Sequence, residues 1–195
     1  MKRLFDLILS GIGLIFLSPV FLFVAIWIGL DSRGPVFYKQ TRVGKNGRDF
    51  KINKFRSMRL GSDQKGLITV GGRDPRVTRS GYYIRKYKLD ELPQLINVFK
   101  GDMSIVGPRP EVRKYVNLYS NEQLKVLSVK PGITDMASIK YRNENDLLAK
   151  ADDPDKMYIE VIMPHKLKYN LEYIEKQSFL YDIKLIFLTL KEVLF

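Results

Sequence analysis

The chain has 195 residues, with 33 Lys and Arg against 21 Asp and Glu and a formal charge of +12. It has no cysteine, which excludes disulfides, a thiolate nucleophile and Cys-based metal sites; its one histidine, His165, has no G-x-S-x-G elbow to complete a hydrolytic triad and reads as a surface or core residue. One folded unit is the natural expectation, and the basic excess calls for an anionic partner: nucleic acid, anionic lipid or a phosphorylated substrate.

From Leu7 to Leu30 no residue is charged, a run of 24. As a helix it would be roughly 36 Å long, against a hydrocarbon core of about 30 Å. The run is too long for a signal-peptide core, and no A-x-A site follows it. Pro19, preceded by Ser18, should kink the helix, with the Ser18 hydroxyl satisfying a freed carbonyl. Both flanks are basic: Lys2 and Arg3 before, Arg33, Lys39, Arg42, Lys45 and Arg48 after. The positive-inside rule wants both in the cytoplasm. A re-entrant helix that breaks at Ser18-Pro19 and returns to the same face satisfies both flanks; a kinked span also fits the length. Asp6 is expected at headgroup depth, paired with Lys2 or Arg3. Residues 1–30 thus read as a membrane segment and 31–195 as a cytoplasmic domain.

In that domain "GPVFYKQTRVG" and "RDFKINKF" are extended patterns around a "GKNG" turn, a small β-hairpin. Its many cations suit a face near anionic headgroups, and Lys54 and Arg56 are candidates to turn toward a phosphate. "GLITVGGRDPRVTRSG" is loop-like. Gly71-Gly72 could admit a ligand close to the backbone, but without G-K-[ST] it is no P-loop. In "LDELPQLINVFKG" the residues Leu92, Leu95, Ile96 and Phe99 share one helical face, with Asp90 as N-cap, Pro93 in the first turn and Gly101 as stop. Residues 111–130 read as helical. The chain beyond "KPGIT" reads as helices interrupted by Pro154 and Pro164. The last segment, with Phe187, Leu188, Leu190, Leu194 and Phe195, fits a core helix or an amphipathic helix lying in the membrane interface. The fold class is α+β, mainly helical.

Asp90 and Glu91 stand side by side among Arg85, Lys86, Lys88 and Arg109. Adjacent residues suit a glycosidase pair badly, because such carboxyls converge on one bond from about 5 to 9 Å apart. An acidic pair opening a helix is commonly a cap. It can also do phosphate chemistry: one carboxylate attacks phosphorus, the other binds Mg²⁺, and the surrounding cations offset phosphoryl charge.

"KFRSM", "DPRVTRSG", "LDELPQLINVFKGDMSIVGPRP" and "PGIT" occur in that order. Nearly the whole chain resembles the bacterial sugar transferases, the monotopic phosphoglycosyl transferase family. Its length and the lack of further N-terminal spans resemble the minimal members. The nearest resemblance is to members that use UDP-N,N′-diacetylbacillosamine in bacterial protein N-glycosylation. The resemblance implies transfer of a phospho-sugar from a UDP-sugar to undecaprenyl phosphate, with release of UMP, at the cytoplasmic face of the bacterial inner membrane. It implies Asp90 as the nucleophile of a covalent phospho-sugar intermediate. Glu91 is its partner, and the two are the candidate Mg²⁺ ligands. It implies Arg109 near the nucleotide-sugar, and a re-entrant N-terminal helix broken at Ser18-Pro19. Lys54, Arg56, Arg85 and Lys86 are candidate phosphate contacts. Members often carry Tyr-Asp where this chain has Tyr169-Asn170, so a charged role is lost there.

The alternative class is a non-catalytic, membrane-anchored basic protein that binds anionic lipid or nucleic acid. It would bind with strong salt dependence and without Mg²⁺, and it gives Asp90-Glu91 no task. The enzyme reading expects no nucleic-acid partner and leaves the oligomeric state open.

Overall fold

The computed structural model describes residues 1–66, 68–71 and 74–194. Gly72 of the glycine pair and Phe195 of the last segment lie outside them. Helix α1 (Lys2–Phe16) and helix α2 (Ser18–Asp31) meet at a bend of 59°. The break falls where the sequence puts it. Pro19 sits in the first turn of α2, and the Ser18 hydroxyl donates to the Ile15 carbonyl at 2.8 Å. No single helix among the described residues is long and apolar enough to cross a membrane; this bent pair meets the test together.

Strands β1 (Phe37–Val43) and β2 (Asp49–Phe55) form the expected antiparallel hairpin, with Phe37 opposite Phe55 and Val43 opposite Asp49. The turn is left-handed at Asn46 and Gly47, φ 57° and 72°, which suits that Asn-Gly pair. Helix α3 (Arg79–Lys86) is capped by Thr78, whose hydroxyl accepts from the Gly81 N–H at 3.0 Å. Helix α4 (Gln94–Lys100) ends at Gly101, φ 97°, as expected of a glycine stop. Strand β3 (Ser104–Val106) pairs in parallel with β4 (Gly132–Thr134).

Residues 111–130 are less helical than their pattern suggests. They give α5 (Arg113–Val116) and a 3₁₀ stretch, Gln123–Ser128. Ser120 divides them: its N–H donates to the Gln123 side chain and its hydroxyl accepts from the Gln123 N–H. Short helices α6 (Met136–Lys140), α7 (Glu144–Leu148) and α8 (Pro154–Met157) follow, then α9 (Met163–Lys176) and α10 (Phe179–Leu194). Pro154 opens α8, but Pro164 interrupts nothing. It lies in the first turn of α9, after a π-helical turn at Tyr158–Ile162. Such a turn absorbs a missing backbone donor.

Three apolar clusters hold these elements. One joins α9 to Val112, Tyr115 and Leu148; a second gathers Ile52, Val98, Met103, Val106, Tyr173 and Leu185; a third packs Val24 and Ile28 of α2 on Phe55 and Ile84. The apolar face of α4 meets α1, where Leu95 and Phe99 lie against Gly13 and Gly11. In α10 Leu185 is fully buried while Leu180, Phe187 and Leu190 are exposed, so the helix is a core element with an apolar outer face.

The start of α1 is built into the body. Asp6 is 3% exposed and accepts from the Ser104 hydroxyl and the Ile105 N–H, both at 3.0 Å. It pairs with neither Lys2 nor Arg3. Lys2 instead reaches Asp182 at 2.5 Å, the Val106 carbonyl and the Tyr173 hydroxyl, and Arg3 takes the Val98 and Phe99 carbonyls that α4 leaves open. Donors of β3 thus pair with Asp6, and the open carbonyls at the end of α4 pair with Arg3.

Candidate active site

The cap expected of Asp90 does not form. Lys88 turns left-handed, φ 56°, and Leu89–Glu91 make a single 3₁₀ turn. Helix α4 begins only at Gln94, after Pro93, without a side-chain cap. Successive residues of a 3₁₀ turn project about 120° apart. Asp90 and Glu91 therefore face different surroundings although they are adjacent.

Glu91 is held by two cations. Its Oε1 accepts from Lys54 Nζ at 3.0 Å and from Arg109 Nη2, and its Oε2 accepts from Arg109 Nη1 at 3.0 Å. Lys54 comes from β2, on the same face as Ile52. Arg109 comes from the Pro108–Pro110 turn after β3, and its N–H donates to Asp135 Oδ2 at 3.0 Å. Asp135 also caps α6, accepting from the Ser138 N–H at 2.6 Å. Burial would raise the Glu91 carboxyl, but Arg109 and Lys54 more than reverse it and hold it well below the usual carboxylate range. Asp90 is 7% exposed and takes no hydrogen bond from the described residues. Burial pushes its carboxyl up; Lys54 offsets part of that, and Glu91 adds to it. Burial also lowers Lys54, against the pull of Glu91.

All seven predicted site residues line one cleft of about 800 Å³: Lys54, Arg56, Arg85, Lys86, Asp90, Glu91 and Arg109. The structure distinguishes among them. The Arg56 guanidinium is committed elsewhere, donating to the Ser32, Arg33 and Gly34 carbonyls at 2.7, 2.5 and 3.4 Å. It is 4% exposed and closes the end of α2. Arg85 makes one bond to the Thr69 hydroxyl at 3.0 Å, and Lys86 lies over the Tyr87 ring. Both keep donors for a ligand. Gly71, φ 72°, gives its N–H to the Asn145 carbonyl. His165 is exposed and meets the Tyr141 hydroxyl at 3.0 Å, and does not itself line the cleft. Asn170 is buried in α9 and does not line this cleft.

Sequence reasoning missed three groups. Asp135 fixes the Arg109 main chain; its signal was an Asp just before the short helical run "MASIK". Arg42 and Glu111 pair at 3.0 Å beside Tyr158, whose hydroxyl donates to Glu111 at 3.0 Å. Leu17 and Val20, at the break of the N-terminal helices, line the same cleft as Asp90. Nothing local in the sequence ties those positions together.

Among the described residues no group of three or more His, Cys, Asp or Glu could hold a metal ion by itself. Mg²⁺ does not need such a cage, since it takes one or two carboxylates and completes its shell with phosphate oxygens and water. Asp90, whose oxygens take no partner among the described residues, is open to such a shell, while both Glu91 oxygens are taken by Lys54 and Arg109.

The bacterial sugar transferase family model matches residues 1–195. The chain belongs to this family. It is 41% identical over 194 residues to the UDP-glucose:undecaprenyl-phosphate glucose-1-phosphate transferase of Escherichia coli K12, covering 97% of this chain and 39% of that protein. It is 39% identical over 196 residues to the UDP-N-acetylgalactosamine-undecaprenyl-phosphate N-acetylgalactosaminephosphotransferase of Aeromonas hydrophila, covering 99% and 43%. The chain thus spans about two fifths of the length of these two relatives. A putative undecaprenyl-phosphate N-acetylgalactosaminyl 1-phosphate transferase of Bacillus subtilis is 42% identical over 152 residues, covering 77% and 81%.

Proposed function

We propose that this family member transfers a phospho-sugar from a UDP-sugar to undecaprenyl phosphate, through a covalent intermediate on Asp90, at the cytoplasmic face of the membrane. One observation carries the reading: a carboxylate without a hydrogen-bond partner among the described residues, two cations and the apolar break of the bent N-terminal pair share one cleft. The names of the relatives supply the substrate classes, a UDP-sugar donor and undecaprenyl phosphate as acceptor.

In the first step an Asp90 oxygen attacks the phosphorus that bears the sugar. The phosphoanhydride bond breaks, UMP leaves with the electron pair, and Asp90 carries the phospho-sugar as an acyl phosphate. In the second step a phosphate oxygen of the lipid attacks the same phosphorus. The acyl phosphate bond breaks, and Asp90 returns to its carboxylate. Lys54 and Arg109 offset charge on the transferring group, and Arg85 and Lys86 bind outer phosphate oxygens. Mg²⁺, held by Asp90 and Glu91 with the diphosphate, would neutralise further negative charge there. Such a two-step route gives ping-pong kinetics. The re-entrant reading of α1 and α2 keeps the site in one leaflet, where the acceptor phosphate lies at the interface. The motif resemblance makes UDP-N,N′-diacetylbacillosamine the first donor to try, beside the UDP-glucose and UDP-N-acetylgalactosamine named in the relatives.

The test is UMP release from that panel in liposomes holding undecaprenyl phosphate, with and without EDTA. Asp90→Asn should keep the fold, because Asp90 caps nothing and takes no hydrogen bond among the described residues, and should abolish turnover. Intact-protein mass after donor alone should show one phospho-sugar adduct, mapped to Asp90. Full turnover by Asp90→Asn would sink the mechanism. Salt-dependent lipid binding with no UMP release from any donor would favour the basic anchor.

A further inference from the structure

We propose that Lys54 and Arg109 mask Glu91 until a diphosphate arrives, so that diphosphate and divalent cation bind cooperatively. This rests on the donor reading above and adds an order to it.

Both Glu91 oxygens are occupied, by Lys54 at 3.0 Å and by the two terminal nitrogens of Arg109, one of them at 3.0 Å. The side chains of Lys54 and Glu91 are only 17% and 18% exposed, so water screens the cluster poorly. Asp90, next in the chain, has no such partner. Two cations and two carboxylates leave the cluster neutral. A divalent cation entering alone must displace charge-assisted bonds from Glu91 and sits against two positive groups. A diphosphate entering alone must take Lys54 and Arg109 from Glu91 and leaves that carboxylate buried and unpaired. Entering together they avoid both costs: the cations pass to phosphate oxygens, and Glu91 is released to the metal. The exchange needs side-chain rotation only. The Lys54 backbone is fixed in the β-hairpin, and the Arg109 N–H is fixed on Asp135. The Arg109 side chain is 31% exposed, with room to turn.

Linkage makes the coupling reciprocal, and coupling of this kind spans about 5- to 150-fold. The discriminating measurement is metal-free. UDP binding to the full chain in detergent is followed by calorimetry in EDTA. Glu91→Gln frees both cations and should tighten UDP by roughly tenfold. Asp90→Asn removes the same formal charge next door but frees nothing, and should tighten it by less than about threefold. Equal tightening by both variants, a net-charge effect, overturns the masking. So does no tightening in Glu91→Gln.

If Glu91→Gln fails to fold by its melting curve, Lys54→Met replaces it. Mn²⁺ binding without nucleotide, read by electron paramagnetic resonance, should then be at least about fivefold tighter than in the native chain. Unchanged Mn²⁺ affinity overturns the inference. A native chain that binds UDP neither with nor without Mg²⁺ overturns the donor reading, and this inference with it. Normal UDP binding and turnover without the variant effects overturns the masking alone.

Discussion

Asp6 tests how the N-terminal helix is held. Its carboxylate is 3% exposed and accepts two hydrogen bonds at 3.0 Å, from the Ser104 hydroxyl and the Ile105 N–H of β3. Asp6→Ala strands both donors in the interior. Each unsatisfied buried group costs about 1–3 kcal/mol, so the pair should cost about 4 kcal/mol. For a chain of this size about 1 kcal/mol moves the melting temperature by roughly 2–4 °C, which gives a fall of roughly 8–16 °C. Asp6→Asn keeps one acceptor oxygen and should lose about 1.5 kcal/mol, or roughly 3–6 °C. The assay is thermal unfolding of the purified chain in detergent, followed by intrinsic fluorescence. A headgroup-exposed Asp6 would behave like a surface ion pair, worth under about 1 kcal/mol. An Ala variant melting within about 2 °C of the native chain would therefore refute the buried anchor.

Three further outcomes follow from other contacts. A Cβ on Gly81 would stand 1.9 Å from the Ser57 carbonyl oxygen, so Gly81→Ala should cost about 3 kcal/mol and lower the melting temperature by roughly 6–12 °C. Arg56→Lys cannot reproduce the fork on the Ser32 and Arg33 carbonyls; it should lower stability by about 2 kcal/mol and leave the KM for the UDP-sugar unchanged, whereas a phosphate contact would raise KM. The hydrogen bonds of Arg76 hold the Asp74 carboxyl below its ordinary value of 3.8. That contribution is fully present above about pH 5 and is lost as pH falls through the depressed value. Melting curves of the native chain and Asp74→Asn should differ at pH 6 and converge as the pH drops below about 4.

The parts legible in the sequence were those set by local chemistry. The Ser18-Pro19 break, the hairpin around Asn46-Gly47 and the Gly101 stop each need only a few neighbouring residues to specify them. Motif order also named seven residues that the fold brings to one cleft, but not the others that line it, Leu17, Val20, Arg42 and Glu111 among them. What the sequence hid was allocation of partners at long range. Arg56 and Lys54 are two residues apart on one strand end, yet one closes helix α2 and the other meets Glu91. Asp6 finds β3 98 residues away in preference to Lys2 and Arg3 beside it. Most buried hydrogen-bonding groups must be paired, and their partners are allocated over the whole fold.

The same allocation explains why two adjacent carboxylates can differ in kind. Had α4 begun at Asp90, both side chains would lie at a helix N-terminus and share its dipole. Instead Lys88 turns left-handed, and the single turn that follows sends Glu91 to Lys54 and Arg109 and leaves Asp90 facing the cleft. Burial raises the carboxyl of Asp90, while paired cations depress that of Glu91. An open carboxylate and a cation-paired one thus stand side by side on one turn. The turn is held from both sides, by α3 and by Pro93. The start of α3 is in turn tied to α2, where Asp31 accepts from the Ser80 N–H and hydroxyl at 3.0 and 2.8 Å. The bent helix pair therefore reaches the acidic pair through one short helix, α3.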